Sequence, residues 1–210
     1  MKVIVFGATG TVGKEIVQQA LEQGHQVTAF LRSPEKMEDI QHSRLQTFQG
    51  DVFDEAQVAE AIKGQDIVMV SLGSGRSRKS IVRSKGTEHI IQAMKKEGVK
   101  RLICQTTLGN GDSRANLDFF WKYIMFGWFL KQVYLDHELQ EELVRKSGLD
   151  WTIVRPAAFT DGERTGAYQS GFGPHVEGLT LKISRKDVAD FMLKQIGNPA
   201  SLFQTPGLSY

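Results

Sequence analysis

Gly7, Gly10 and Gly13 stand three residues apart in Gly-Ala-Thr-Gly-Thr-Val-Gly, a spacing with which a backbone can wrap a pyrophosphate. Gly7 permits a tight reversal out of a strand, Gly10 lets a phosphate approach the backbone, and Gly13 lets a helix pack closely on the strand. Thr9, Thr11 and Val12 fill the same turn, and the helix start presents unpaired N–H groups and a positive dipole end to the phosphates. The second group able to do chemistry is Arg32-Ser33, about 20 residues on, where many NAD sites carry an acid for the ribose hydroxyls. An acid repels a 2′-phosphate, whereas a guanidinium bonds one in bidentate fashion. These residues predict NADPH in preference to NADH; the competing reading of Arg32 is a solvated arginine at a strand end.

Such a turn needs a strand before it and a helix after it. Val3 to Phe6 is a short β-branched run suited to a parallel strand covered on both faces, and Ile16, Val17, Ala20 and Leu21 then recur at helical spacing. Further strands read at Gln26 to Leu31, Arg44 to Gln49, Asp66 to Gly73, Arg101 to Thr106 and Trp151 to Val154. Leu72-Gly73-Ser74-Gly75 closes the fourth strand of the chain, Asp66 to Gly73, with glycines that let backbone meet cofactor ribose and phosphates. Helices read from near Asp54 to about Lys63, up to about Lys96, over Asp136 to Lys146, and over Arg185 to Ile196, where Ser184 and Asp187 form an N-cap pair. Asp51 is also a candidate cap for the helix that begins near Asp54. The alternation predicts the α/β class, as a Rossmann-like doubly wound parallel sheet. With 210 residues, 40% of them hydrophobic, residues 1–210 suit a single nucleotide-binding domain.

Composition excludes some partners. A net charge of +2 gives no reason to expect nucleic acid. One cysteine, Cys104, suits a reducing compartment, and Met1 leads straight into the first strand, so the expected location is cytoplasmic, or stromal after removal of a transit peptide. The five histidines lack zinc spacing. Arg76, Arg78, Lys79, Arg83 and Lys85 form a basic cluster, either a solvated face or the rim of a cleft that attracts an anionic substrate. The aromatic stretch 117–135 is interrupted by Asp118, Lys122 and Lys131, too closely spaced for a transmembrane helix. It reads as core or a homodimer face through 119–130, as an apolar wall for a planar substrate, or as a monotopic membrane contact.

The glycine turn, Gly50-Asp51-Val52, Leu72-Gly73 and Ser147-Gly-Leu-Asp-Trp-Thr-Ile-Val-Arg-Pro156 together resemble the atypical short-chain dehydrogenase/reductase families over most of the chain. That resemblance implies that Asp51 and Val52 lie beside adenine, that Thr106 and Thr107 emerge near nicotinamide and substrate, and that a loop from Pro156 to Phe159 covers the nicotinamide. Carbonyl-reducing members use a Tyr-x-x-x-Lys pair for proton exchange. None of the four tyrosines here has lysine four residues on, since Tyr123 leads to Gly127, Tyr134 to Glu138 and Tyr168 to Phe172, while Tyr210 ends the sequence.

A nucleotide cradle without that proton donor fits hydride transfer to a conjugated acceptor that takes its proton from water. Thr165-Gly-Ala-Tyr168, Asp136-His137, Leu31-Arg32 and Ile183-Ser184 extend the likeness to the biliverdin reductase B / flavin reductase family. This likeness implies His137 near the cofactor, Thr107 positioning the reacting groups, and a flavin or linear tetrapyrrole, small, planar and anionic, as substrate. Its cleft would be formed by the loops after strands four to six and residues 108–135. The family has a histidine after the sixth strand where this chain has Ala158. Taken alone, a mid-helix His137 reads as a surface residue. The alternative from another class is an NmrA-like NADP(H)-binding redox sensor without turnover; a sugar-nucleotide or isoprenoid reductase is disfavoured by the missing tyrosine pair.

Overall fold

The computed structural model describes residues 1–75, 77 and 80–210. Along the chain come β1 (Lys2–Phe6), α1 (Thr11–Glu22), β2 (Gln26–Leu31), β3 (Leu45–Gln49), α2 (Glu55–Ile62), β4 (Ile67–Val70), α3 (Val82–Glu97) and β5 (Arg101–Gln105). Then follow α4 (Lys131–Lys146), β6 (Asp150–Pro156), β7 (Ala158–Thr160), β8 (Gln169–Ser170), β9 (Lys182–Ser184), α5 (Arg185–Lys194) and β10 (Gly207–Ser209). The main sheet has the order β3-β2-β1-β4-β5-β6-β10-β8, parallel except where β8 pairs antiparallel with β10. The Rossmann-like, doubly wound α/β expectation is therefore met, with an additional short edge that the sequence reading lacked.

Period-two alternation explains the two layers. Val3 and Val5 join one buried cluster with Ile16, Val17 and Ala20 of α1 and Val188, Phe191 and Met192 of α5. Ile4 and Phe6 join the other with Val58 and Ile62 of α2, Ile90 and Met94 of α3, and Val144 of α4. A strand apolar at every position thus requires helices on both faces. Cys104 lies inside β5, and burial pushes its thiol well above the usual range.

Several boundaries differ from the expected ones. β4 stops at Val70, so Leu72 and Gly73 lie in the loop beyond it. Asp54, not Asp51, caps α2: its carboxylate accepts from the Ala56 and Gln57 N–H groups, while Asp51 accepts from the Phe53 N–H in a local turn. α4 starts at Lys131, and the aromatic run before it forms a π-helix over Phe120–Phe129, closed by a bond from Leu130 N–H to Met125 carbonyl at 2.6 Å. Among the described residues no helix is long and apolar enough to cross a membrane.

Candidate functional site

The glycine turn is fixed by close contacts within the protein. Gly7 has φ 84°, and a Cβ there would meet the Ser71 carbonyl oxygen at 2.3 Å. Gly13 would bring a Cβ to 2.1 Å from the Gly7 oxygen, so the start of α1 lies directly on the end of β1. Gly10 donates to that same Gly7 oxygen at 2.9 Å and has no side chain to cap α1; no acid occupies the first turn. The helix N-terminus is thereby left with its positive end uncompensated by side chains, as anion binding requires. At Gly73 the situation is opposite, because no protein atom lies within 4 Å of a Cβ built there. The space beside Gly73 belongs to a cavity.

That cavity, of about 650 Å³, runs along the carboxyl ends of β2, β1, β4, β5 and β6. Its volume lies within the ordinary range for small-molecule sites. Gly7, Thr9, Gly10, Thr11 and Val12 form its middle, Arg32, Asp51 and Val52 one end, and Leu72 and Gly73 the wall beyond β4. At the other end lie Thr106, Thr107, His137, Pro156, Ala158 and Phe159. Ser33 is the exception among the expected residues: it is not part of this wall. The chain turns there into a short 3₁₀ segment, Pro34–Met37, whose Lys36 N–H bonds the Ser33 carbonyl and whose Lys36 joins Arg32 on the wall. Lys36 was concealed in a stretch without periodicity.

The two threonines have different environments. Thr106 donates its hydroxyl to Glu141 Oε1 at 2.7 Å and is buried, so this side chain anchors the end of β5. Thr107 is half-buried, and its hydroxyl donates only to the adjacent Leu108 carbonyl at 3.2 Å. Behind them, Arg155 is 1% exposed and forks onto Glu141, Nε to Oε1 at 2.9 Å and Nη2 to Oε2 at 2.6 Å, while its Nη1 reaches Asp112 at 2.6 Å. Burial disfavours the Arg155 charge, and the Glu141 and Asp112 carboxylates more than offset this, holding it protonated above its ordinary range. Asn110 also donates to Glu141 Oε1, at 3.1 Å. Sequence reading missed Glu141, although His137, Gln140, Glu141 and Val144 recur at the 3-1-3 spacing of one helix face, the buried face of α4.

His137 is buried, which overturns its reading as a surface residue. Its Nδ1 lies 3.2 Å from Gln140 Oε1, and Gln140 Nε2 donates to Thr87 Oγ1 at 3.0 Å. The amide therefore presents oxygen to the ring, placing the imidazole proton on Nδ1 and leaving Nε2 an acceptor. Burial, and then the Arg83 charge, push its pKa down to about 3, so the ring is neutral.

Among the described wall residues there is no tyrosine. The Tyr134, Tyr168 and Tyr210 hydroxyls donate to the Gly109 carbonyl, Asp190 and Asp187, and Tyr123 is exposed. Leu117, Trp121, Phe126, Leu130 and Val133 line the cavity from the aromatic segment, while Phe119, Phe120, Tyr123 and Trp128 face outward, Trp128 at 79% exposure. Of the basic cluster, Lys85 pairs with Glu88 on the surface and Arg83 joins the cavity wall; Arg76, Arg78 and Lys79 lie outside the described residues.

Residues 7–199 match the family described as NAD(P)H-binding. The chain is 30% identical to the uncharacterized protein YwnB of Bacillus subtilis over 81% of this chain and 79% of that one. Its fold superposes on the oxidoreductase ylbE of Lactococcus lactis with a TM-score of 0.84 at 25% identity, covering 100% of this chain and 90% of that one. It superposes equally, TM-score 0.84 at 27% identity and covering 100% and 97%, on ChuY, an anaerobillin reductase from Escherichia coli O157:H7.

Proposed function

The chain belongs to the NAD(P)H-binding family, and from that premise we propose that it is an NADPH-dependent reductase of a conjugated acceptor, a linear tetrapyrrole or a flavin. The observation that carries this reading is a cavity whose acceptor end has an apolar wall and no tyrosine among its described residues. A planar acceptor suits that wall, and the similar protein ChuY is named an anaerobillin reductase.

NADPH, when bound, supplies a hydride. The chain's own residues bind, orient and exclude water. The α1 start meets the pyrophosphate, and the protein-free space at Gly73 admits the backbone-side approach of the ribose. Arg32 and Lys36 stand together where a 2′-phosphate requires cations, which favours NADPH over NADH. Neutral His137 offers Nε2 as an acceptor for a ribose hydroxyl, and the half-buried Thr107 hydroxyl orients the reacting groups as the catalytic residue. Phe159 closes the acceptor end, its ring held under Arg185 at 5.6 Å. With no tyrosine among the described wall residues and His137 neutral, the proton on this reading comes from water. On this reading a second copy covers the outward rings of 119–130, and a reducing cytoplasm suits the buried, unpaired Cys104.

The test is NADPH oxidation by the purified protein with FMN and with biliverdin side by side. Turnover with either supports the reading; tight NADPH binding with no turnover on any acceptor selects the redox sensor instead. In the same assay Arg32→Ala is expected to raise the KM for NADPH about tenfold or more and leave that for NADH unchanged, the loss of a charge-assisted pair. An unaltered NADPH/NADH preference refutes the cofactor assignment.

A further inference from the structure

Arg83 is a half-buried, largely desolvated cation with few partners among the described residues. It lies in the first turn of α3 on the cavity wall, which it shares with Leu72, Gly73, Val133 and His137, and its side chain is 12% exposed. Its nearest carboxylate is Asp136, at 3.7 Å from Nη1, beyond hydrogen-bond length. That carboxylate is already engaged. Oδ1 accepts from the Ser84 N–H at 3.0 Å and the Ser84 hydroxyl at 2.5 Å, and Oδ2 accepts from the Arg83 N–H at 3.2 Å. Asp136 thus caps α3 from a neighbouring helix, where Ile81 at the N-cap offers no side-chain bond. Among the described residues the guanidinium keeps one hydrogen bond, Nη1 to Ser74 Oγ at 3.3 Å, and its buried Nε has no partner.

A guanidinium carries five donors and is desolvated here, so it favours a ligand that supplies negative oxygens. Burial pulls its pKa below the ordinary range, against the opposing pull of Asp136. Arg32 and Lys36 are at the β2 end of the cavity, whereas Arg83 lies beyond β4, against Ser74, and beside Asp136 and His137 of α4. Since His137 is neutral, Arg83 is the cation among the described wall residues on that side.

We propose that Arg83 is a specificity residue that binds an anionic group, carboxylate or phosphate, on the hydride acceptor. The inference rests on the reductase reading and names what that site selects. An acceptor with a side-chain anion engages the Arg83 fork while its ring system lies along the apolar wall; an uncharged analogue leaves Arg83 as it is in the free protein.

The experiment compares FMN with riboflavin, which differ by the phosphate, using quenching of flavin fluorescence with NADP⁺ present and NADPH oxidation in parallel. The wild-type protein is expected to bind FMN about tenfold more tightly than riboflavin, the effect of one charge-assisted fork. Arg83→Gln abolishes that preference and leaves riboflavin and NADPH affinity unchanged, because the Asp136 bonds to backbone N–H groups of α3 survive; Arg83→Lys restores part of it. A wild-type protein indifferent to the phosphate, or equal losses on FMN and riboflavin, overturns the proposal. A loss confined to NADPH affinity also overturns it, assigning Arg83 to the cofactor pyrophosphate. Failure of the reductase reading is separate: a persistent Arg83-dependent preference in quenching without any turnover leaves the anion site standing and removes the reaction.

Discussion

Glu141→Gln removes one negative charge from the buried pair behind the reactive end and leaves the shape nearly unchanged. In the native protein both Glu141 oxygens meet Arg155, at 2.9 and 2.6 Å, and Arg155 has 1% exposure. Removing one partner of a buried pair costs about 3–5 kcal/mol, because the remaining charge has no water to return to. Asp112 retains its contact with Nη1 at 2.6 Å, but its own side chain is 67% exposed and screened, so the loss belongs near the lower figure. For a chain of this size, about 3 kcal/mol corresponds to a fall in Tm of roughly 6–12 °C. Urea titration gives the free energy and a thermal melt the shift. A double variant, Glu141→Leu with Arg155→Met, removes both charges and is expected to recover part of the loss, since apolar replacement of a buried pair is often neutral or stabilising while the Thr106 hydroxyl and Asn110 amide lose their acceptor. A fall below about 1 kcal/mol in Glu141→Gln, or a double variant as unstable as the two single losses added, refutes the view that this pair is a closed electrostatic unit.

His137 should make stability depend on acidity with a definite sign. Its folded-state pKa is held near 3, below the value of 6.5 for a free imidazole, so below about pH 6.5 the unfolded chain binds a proton that the native state refuses. Stability contributed by the neutral ring is present above pH 6.5 and is lost as pH falls toward 3, by at most about 1.4 kcal/mol per pH unit. His137→Gln is expected to flatten that slope in urea melts between pH 6 and 4; an unchanged slope counts against the buried neutral ring. The two glycine environments predict opposite outcomes for one substitution. Gly73→Ala meets no protein atom within 4 Å and is expected to melt like wild type while losing NADPH affinity, measured by nucleotide fluorescence. Gly7→Ala forces a Cβ to 2.3 Å from the Ser71 oxygen at φ 84° and is expected to lower the yield of folded protein itself. Equal effects of the two on Tm would refute the assignment of the Gly73 space to a ligand.

These contrasts also explain which half of the site was legible in sequence. The nucleotide half is local: Gly7, Gly10 and Gly13 lie within one turn, and their close contacts are with one another, with Ala8 and with the Ser71 and Leu72 backbone just beyond β4. Spacing alone encodes such geometry, and Arg32 follows because a strand of fixed length ends there. Lys36 escaped because a 3₁₀ turn, not a periodic element, returns it to the wall beside Arg32, in the place expected for Ser33. The acceptor half is non-local. Arg83 and Asp136 are 53 residues apart, and Gln140 and Thr87 likewise 53 apart, so the buried face of α4 is defined by what α3 presents to it. Nothing in the periodicity of a charged helix distinguishes a buried His137 or Glu141 from a solvated one until the partner helix is placed, although the 137, 140, 141 and 144 stripe marks the face on which burial falls. Chemistry that depends on desolvated charge is therefore set by pairing across elements, and on the proposed reading acceptor choice rests on Arg83, apart from the glycine turn at the start of α1.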